Sequence, residues 1–446
     1  MSSQCVVDFK IPFFNIYVGE ASHVTVCNII EYIENLQNLK LKQESCPSKK
    51  HYANTIHMFD SFRGIILAGI EKLYTLPNNL INDLCIEKLQ YQDGAFIFEN
   101  SGAIQSNIEL FLNNLVQSYP SYCFSQFRTD IPLLFSLRDE LHTNIIDHFV
   151  NTKHYIDAEC QDVECTKTQY KTIVRDAPIF VFSKETNQNG GYYIENNKLL
   201  FIDPYITSTK FRNTISASIN GSNKYTWFKK KDKAFWRGQD GLSSYDHHSN
   251  FSDGVIHDAF SNKYPRLGLV LTSIKTPELL DAKFSNIVHS PKIVQLLIQK
   301  RISESIDSEN FSQILEKSIV NLININQPDS QTIEEHIQYK YLISVDGWTA
   351  AWGRPEWILK SNSLLLKHES SKVQWFYGDM KENVHYKSFN SDFSNLESTI
   401  LWLNNNDNEA RHIAEEGNKF YEQNFSDKAL IETAYTIISD YFDSIE

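Results

Sequence analysis

Asp346-Gly347-Trp348-Thr-Ala-Ala-Trp352-Gly353-Arg354-Pro355 joins an apolar run, Tyr341–Val345, to a helical pattern through two glycines and an arginine. A strand that hands over to a helix in this way makes a place for a phosphate. The turn exposes backbone N–H groups, and the helix dipole favours negative charge at its N-terminus. Arg354 adds a guanidinium at the mouth, and Pro355 suits the first helical position, where its missing N–H costs nothing. The chemistry served would be the holding of a nucleotide diphosphate in an α/β domain. Trp348, Trp352 and Trp357 offer rings that can stack on a base or sugar, with at least one expected in the core. Other reactive clusters are poorer. Asp246, His247, His248 and His257 lack the spacing of a zinc site and read as a solvated loop. The Lys229–Lys233 run reads as a solvated face ahead of a strand, with guidance of an anionic substrate as the alternative.

Placing such a site requires strands and helices in alternation. Helical periodicity predicts helices over Ser22–Leu39, Asp60–Leu73, Ile104–Val116, Pro291–Ile302, Leu396–Leu403, Asn408–Gln423 and Asp427–Phe442. Short apolar runs predict strands at Ile131–Leu137, Pro178–Phe182, Leu199–Ile202, Ala234–Gly238, Leu267–Leu271, Tyr341–Val345 and Ser363–Lys367. Lys88–Phe98 reads as a hairpin turning at Asp93-Gly94. The rhythm implies parallel sheets covered by helices on both faces. A polar turn at Asn220–Asn223 predicts the junction of two halves.

A chain of 446 residues exceeds one ordinary core, so two domains of roughly 200 residues each are expected. A net charge of −13 argues against nucleic acid as a partner through bulk charge. Aromatic residues reach 13%, a level met both in sugar-handling proteins and in cores built from large rings. The seven cysteines are odd in number and contain no CxxC. That reads as a reducing compartment without a disulfide framework, with Cys160–Cys165 as a minor alternative pairing. The first residues lack the basic and apolar regions of a signal peptide. No run approaches the ~18 apolar residues of a spanning helix.

Several short motifs recur in a fixed order: Asp130-Ile-Pro with Arg138-Asp139, Phe182-Ser-Lys184, Phe235-Trp-Arg237-Gly238, Pro265-Arg266-Leu, Leu280-Asp-Ala282, Asp346-Gly347 with Arg354, and Trp375-Phe-Tyr with Val-His-Tyr386. Over about residues 125–425 this order resembles glycosyltransferase family 90, the CAP10 or lipopolysaccharide-modifying family that includes protein O-glucosyltransferases. The resemblance implies a GT-B fold, two Rossmann-like domains facing a central cleft. Domain limits of 1–222 for the acceptor domain with a helical extension, 223–425 for the nucleotide-sugar domain, and 426–446 for a helix returning to the first domain would follow.

The same resemblance implies an inverting transfer of a hexose or pentose from a UDP-sugar, with no cofactor and no metal. A metal-dependent counterpart would want an Asp-x-Asp motif, and the chain contains none. Asp130 is the expected general base and Asp139 the second candidate. Donor binding is expected from Arg237, Gly238, Gln239, Arg266, Gly347, Trp348 and Arg354, and Lys184 is a weaker contact to sugar or phosphate. Gln239 replaces a small hydroxyl residue common in the family, and Gly353 is an extra residue relative to some members. The expected acceptor is a hydroxyl of a surface glycan such as lipopolysaccharide core, at the inner face of the membrane. That setting implies a cytoplasmic enzyme with peripheral membrane association and no transmembrane segment. Alternatives are a protein O-glycosyltransferase acting on serine, and a non-catalytic sugar- or nucleotide-binding relative.

Overall fold

The computed structural model describes residues 45–52, 66–137, 146, 149–151, 163–185, 198–239, 265–286, 332–347 and 349–445. The expectations for Ser22–Leu39, Pro291–Ile302, Arg138, Asp139, Trp348 and the Asp246–His257 cluster lie outside those residues.

The chain is a mixed α/β protein built on two five-stranded sheets. The first contains β1 (Ile86–Gln92), β2 (Ala95–Phe98), β3 (Leu133–Ser136), β4 (Ile179–Val181) and, beyond the two-residue β5 (Lys184–Glu185), β6 (Lys198–Leu200). Its order is β2-β1-β3-β4-β6. The β1–β2 hairpin turns through Asp93 and Gly94, both at positive φ, as an Asp-Gly turn requires. β3, β4 and β6 run parallel, and every residue of these three strands is buried. Helices α1 (Ile66–Leu73), α2 (Ala103–Ser118) and α3 (Val163–Asp176) accompany this sheet.

From β6 the chain crosses to a second unit. Helix α4 (Thr209–Lys224) is followed by β7 (Lys231–Gln239), α5 (Pro265–Lys275), β8 (Leu280–Asn286), β9 (Tyr339–Ser344), α6 (Arg354–Lys360), β10 (Leu364–His368), the short β11 (Lys372–Val373) and β12 (Lys387–Phe389). The sheet order is β12-β10-β9-β7-β8, with every pairing parallel. Helices α7 (Leu396–Asn405) and α8 (Asp407–Asn424) complete it. α9 (Asp427–Asp443), capped by Ser426, then returns to the first sheet. There Tyr441 donates to Pro132 O at 3.0 Å, Tyr435 donates to Cys123 O at 3.2 Å, and Phe442 meets Phe127 at 5.2 Å.

Three expectations need correction. Leu267–Leu271 lies within helix α5 and not in a strand. A short apolar run has no period of its own, and Pro265 opens the helix at a position that tolerates proline. The strand of this region is β8, whose alternating burial marks an edge strand with one covered face. Asn220–Asn223 is the last turn of α4 and not an open loop. Its small and polar residues are packed: a side chain on Gly221 would lie 2.8 Å from Ile337, and Asn362 donates to Ser222 O at 3.1 Å. Finally, Cys46 and Cys123 form a disulfide across 77 residues, with Cα atoms 5.3 Å apart. Such pairing depends on two distant positions meeting in space, which cysteine count and spacing do not report. Among the described residues, Cys85 is a free thiol, and no helix is long and apolar enough to cross a membrane.

Candidate functional site

The two sheets meet through the C-terminal ends of their parallel strands. β5, just past β4, pairs antiparallel with β11, just past β10. Ala350 N–H, past β9, donates to Ser183 Oγ at 3.2 Å. Open α/β sheets bind ligands at this carboxyl edge, where strands end and loops diverge.

At the edge of the second sheet the structure collects most of the residues that the motifs single out. Arg237, Gly238 and Gln239 form the last residues of β7. Arg266, in the first turn of α5, donates to Gln239 O at 3.3 Å. Its guanidinium lies flat against Gly347, where an added side-chain carbon would stand only 2.9 Å from Nη2. Gly347 therefore serves close approach, not backbone freedom. Arg354, at the start of α6, donates from Nη2 to Arg237 O at 2.7 Å, and its guanidinium lies 5.8 Å from the Trp236 ring.

The arginines are not equivalent. Arg237 is committed to the protein. It pairs with Asp281 at 2.9 Å, donates to the carbonyls of Trp236 and Asp281, and stacks 4.3 Å from Phe235. It holds the end of β7 and presents its own carbonyl to Arg354. Arg354 is buried. Burial, and then the like charge of Arg266, push it down to about 9, while Tyr205 pulls the other way. A guanidinium whose charge is so disfavoured is short of an anion, and Arg–phosphate contacts are charge-assisted and often bidentate.

Buried acids stand on both sides, Asp203 on the first sheet and Asp346 and Glu356 on the second. Asp203, past β6, is fully buried, and its Oδ1 accepts from Tyr205 N–H at 2.7 Å. Asp346, past β9, accepts from Ala351 N–H at 2.8 Å and from Ser370 Oγ at 2.5 Å. Glu356, in α6, is fully buried, and neither of its oxygens has a hydrogen-bond partner at normal geometry. Burial, and then the charge of Asp203, hold its carboxyl well above the usual range. The nearby N–H groups of Glu356 and Gly353 pull down, and Asp346 pushes up again. None of these three acids belongs to the set read from the motifs as catalytic or donor-binding. The visible signal is an acid directly after an apolar run, as in Leu199–Asp203, or inside one, as in Arg354–Lys360.

Asp130 lies elsewhere. It precedes β3 and so stands at the entry end of that strand, opposite the edge where Ser183 and Asp203 emerge. It is exposed and held by both Nε and Nη2 of Arg128, at 2.9 and 2.6 Å. The bond to Arg128 keeps its carboxyl below the usual carboxylate range. Lys184, at the interface strand β5, is buried and donates to Lys198 O at 3.3 Å. Burial lowers its ammonium to about 8. No group of three or more His, Cys, Asp or Glu side chains suited to a metal ion occurs among the described residues.

Known proteins match part of the chain. Protein O-glucosyltransferase 3 of Rattus norvegicus is 28% identical over 200 residues, 45% of this chain and 30% of the relative. Protein O-glucosyltransferase 2 of Danio rerio is 28% identical over 206 residues, 46% of this chain and 31% of the relative. O-glucosyltransferase LpsA of Dichelobacter nodosus is 28% identical over 116 residues, 26% of this chain and 36% of the relative. The match thus spans about a third of the length of each of these relatives. The model described as glycosyl transferase family 90 matches residues 260–445, the stretch that carries Arg266, Gly347, Arg354 and Glu356. Residues 260–445 of this chain are thus similar to glycosyl transferase family 90.

Proposed function

We propose that the chain is a metal-independent, inverting glycosyltransferase of GT-B type that takes a UDP-sugar as donor and a hydroxyl group as acceptor. The observation that carries this reading is the Arg266–Arg354 pair. Two guanidiniums are brought together at the carboxyl edge of a parallel sheet, and among the described residues Arg354 meets a carbonyl and a ring but no carboxylate. A leaving diphosphate supplies the missing charge. Its negative charge grows as the glycosidic bond breaks, so fixed cations placed there stabilise the transition state more than the ground state.

Inversion needs a base on the face opposite the leaving group. The base belongs where the first sheet faces the arginines. Asp130 stands at the far end of β3, whereas Asp139 follows Ser136 by three positions. Asp139 lies outside the described residues, and the resemblance offers it as the second candidate. We therefore assign the base to Asp139 in preference to Asp130.

The acceptor is a glycan or protein hydroxyl. The Cys46–Cys123 disulfide favours an oxidising compartment, and with it the protein O-glucosyltransferase reading, in line with the names of the rat and zebrafish relatives. The glycan reading is in line with LpsA. The test is thermal denaturation with UDP. A site filled at 100 times its dissociation constant adds about 2.7 kcal/mol of stability. UDP should raise the melting temperature of the wild type and leave Arg354→Ala nearly unchanged. Equal shifts in both proteins would remove the site from Arg354.

A further inference from the structure

We propose that Tyr205, on the link between the two units, is a positioning residue that seats Arg354 for the donor diphosphate. This rests on the donor reading above. The link leaves β6 and enters α4, so it is the path by which the first unit meets the second. Tyr205 is fixed on it from both sides. Its N–H donates to Asp203 Oδ1 at 2.7 Å, and its carbonyl accepts from Ser208 N and Oγ at 3.0 and 2.5 Å. Ser208 in turn caps α4 by accepting from Phe211 N. The ring packs edge-on against Phe211 at 5.5 Å.

That ring lies directly over Gly353, the residue before Arg354. Gly353 has φ +68°, in the left-handed region, and a side-chain carbon there would come within 2.5 and 2.7 Å of Tyr205 Cε1 and Cδ1 and 3.3 Å of Phe211. Glycine is needed for both reasons at once. Glycine is the least restrained residue type, yet Gly353 sets the direction in which Arg354 leaves. Tyr205 supplies the restraint from one side, and the carbonyl of Arg237 fixes the guanidinium from the other. Preorganised cations bind an anion without an ordering cost at the moment of binding. The unit carrying the acceptor edge therefore helps to set the donor-binding arginine.

The experiment is a double-mutant cycle on the full chain, read as the UDP dissociation constant by calorimetry. Tyr205→Ala should weaken UDP roughly tenfold, about 1.4 kcal/mol. Tyr205→Phe, which keeps the ring over Gly353, should recover most of that loss. In an Arg354→Ala background, Tyr205→Ala should add almost nothing, because the two act through one contact. A general structural defect would instead add its full loss in that background. Unchanged affinity in Tyr205→Ala, or additive losses, would overturn the positioning role while leaving the donor site intact. A wild type that fails to bind UDP would overturn the donor reading and this inference with it.

Discussion

The two facing edges differ in charge. The second sheet ends in three arginines, Arg237, Arg266 and Arg354, joined through backbone carbonyls and a glycine face, with Asp346 beside them. The first sheet ends in Ser183, Lys184 and the buried Asp203. The basic edge suits a ligand that arrives negative and leaves more so. The first edge, which offers Asp203 and a single lysine, suits one that must give up a proton. A transfer between two substrates needs both properties within reach of each other, and separate sheets let each be set without neutralising the other. The comparison also explains why Asp130, tied to Arg128 at the opposite end of β3, makes a poor partner for the arginines.

The sharpest way to break this division is at the base. Asp139→Asn should cut transfer by about 10²–10⁴-fold, the usual worth of general-base catalysis, while UDP affinity stays near wild type. Asp130→Asn should leave transfer within about twofold of wild type, since exposed ion pairs contribute little. Initial rates with a UDP-sugar and isothermal titration with UDP separate the two effects. A collapse of transfer in Asp130→Asn with Asp139→Asn active would restore Asp130 as the base and refute the edge argument.

The basic edge gives the next effect. Truncating one member of a buried charge pair typically costs about 2–5 kcal/mol, roughly thirty- to several-thousand-fold in affinity. Arg354→Ala should fall in that range for UDP, and Arg237→Ala should lose melting temperature first, because Arg237 is committed to Asp281. Equal UDP losses with no change in melting temperature would mean that Arg237 contacts the donor directly.

The first sheet was the more legible of the two: the hairpin and the apolar runs at Ile131–Leu137, Pro178–Phe182 and Leu199–Ile202 fall on its five strands, whereas in the second sheet only the runs that became β7, β9 and β10 were read and β8 and β12 were missed. The hairpin at Asp93-Gly94 was legible because those residues suit positive φ. What the pattern does not carry is information about space. Asp130 and Asp139 stand in the sequence three positions before and after β3, and no pattern says which end of the strand faces the partner sheet. The strand assigned to Leu267–Leu271 failed because a short apolar run fits either period. Neither Tyr205 over Gly353 nor Cys46 beside Cys123 has any local signature.

The edges face each other only while the units are held together, and residues 45–52 contribute to that. This segment is tied to the first unit by Cys46–Cys123 and lies along α9, with Lys49 on Asp440 at 2.8 Å and Lys50 N–H on Thr436 at 2.6 Å. Tyr52 then reaches Asn424 at 3.1 Å and Trp375 at 4.6 Å. A disulfide closing a loop of this length is worth about 2–4 kcal/mol. Cys46→Ser with Cys123→Ser should therefore lower the melting temperature by several degrees, with UDP affinity falling less than in Arg354→Ala. Two free thiols at these positions in the native protein, by mass spectrometry after alkylation, would refute the pairing.

The smallest effect tests the acid that sits behind the basic edge. Glu356 is buried among Asp203, Asp346 and Tyr377, and burial holds its carboxyl well above the usual range. In the unfolded chain the same group ionises near its ordinary value, about 4.3. The folded state therefore keeps a proton that the unfolded state releases. Stability from this group is fully present below the unfolded value and falls as pH rises toward the raised folded value. Each unit of that difference is worth about 1.4 kcal/mol. Glu356→Gln keeps the shape and cannot ionise, so it removes the penalty. Its melting temperature should match wild type near pH 4 and exceed it increasingly toward pH 8. A difference that stays constant over that range would mean that Glu356 is ionised in the folded protein. The acid behind α6 would then be a counter-charge to the arginines, and the basic edge would be less short of an anion than its burial implies.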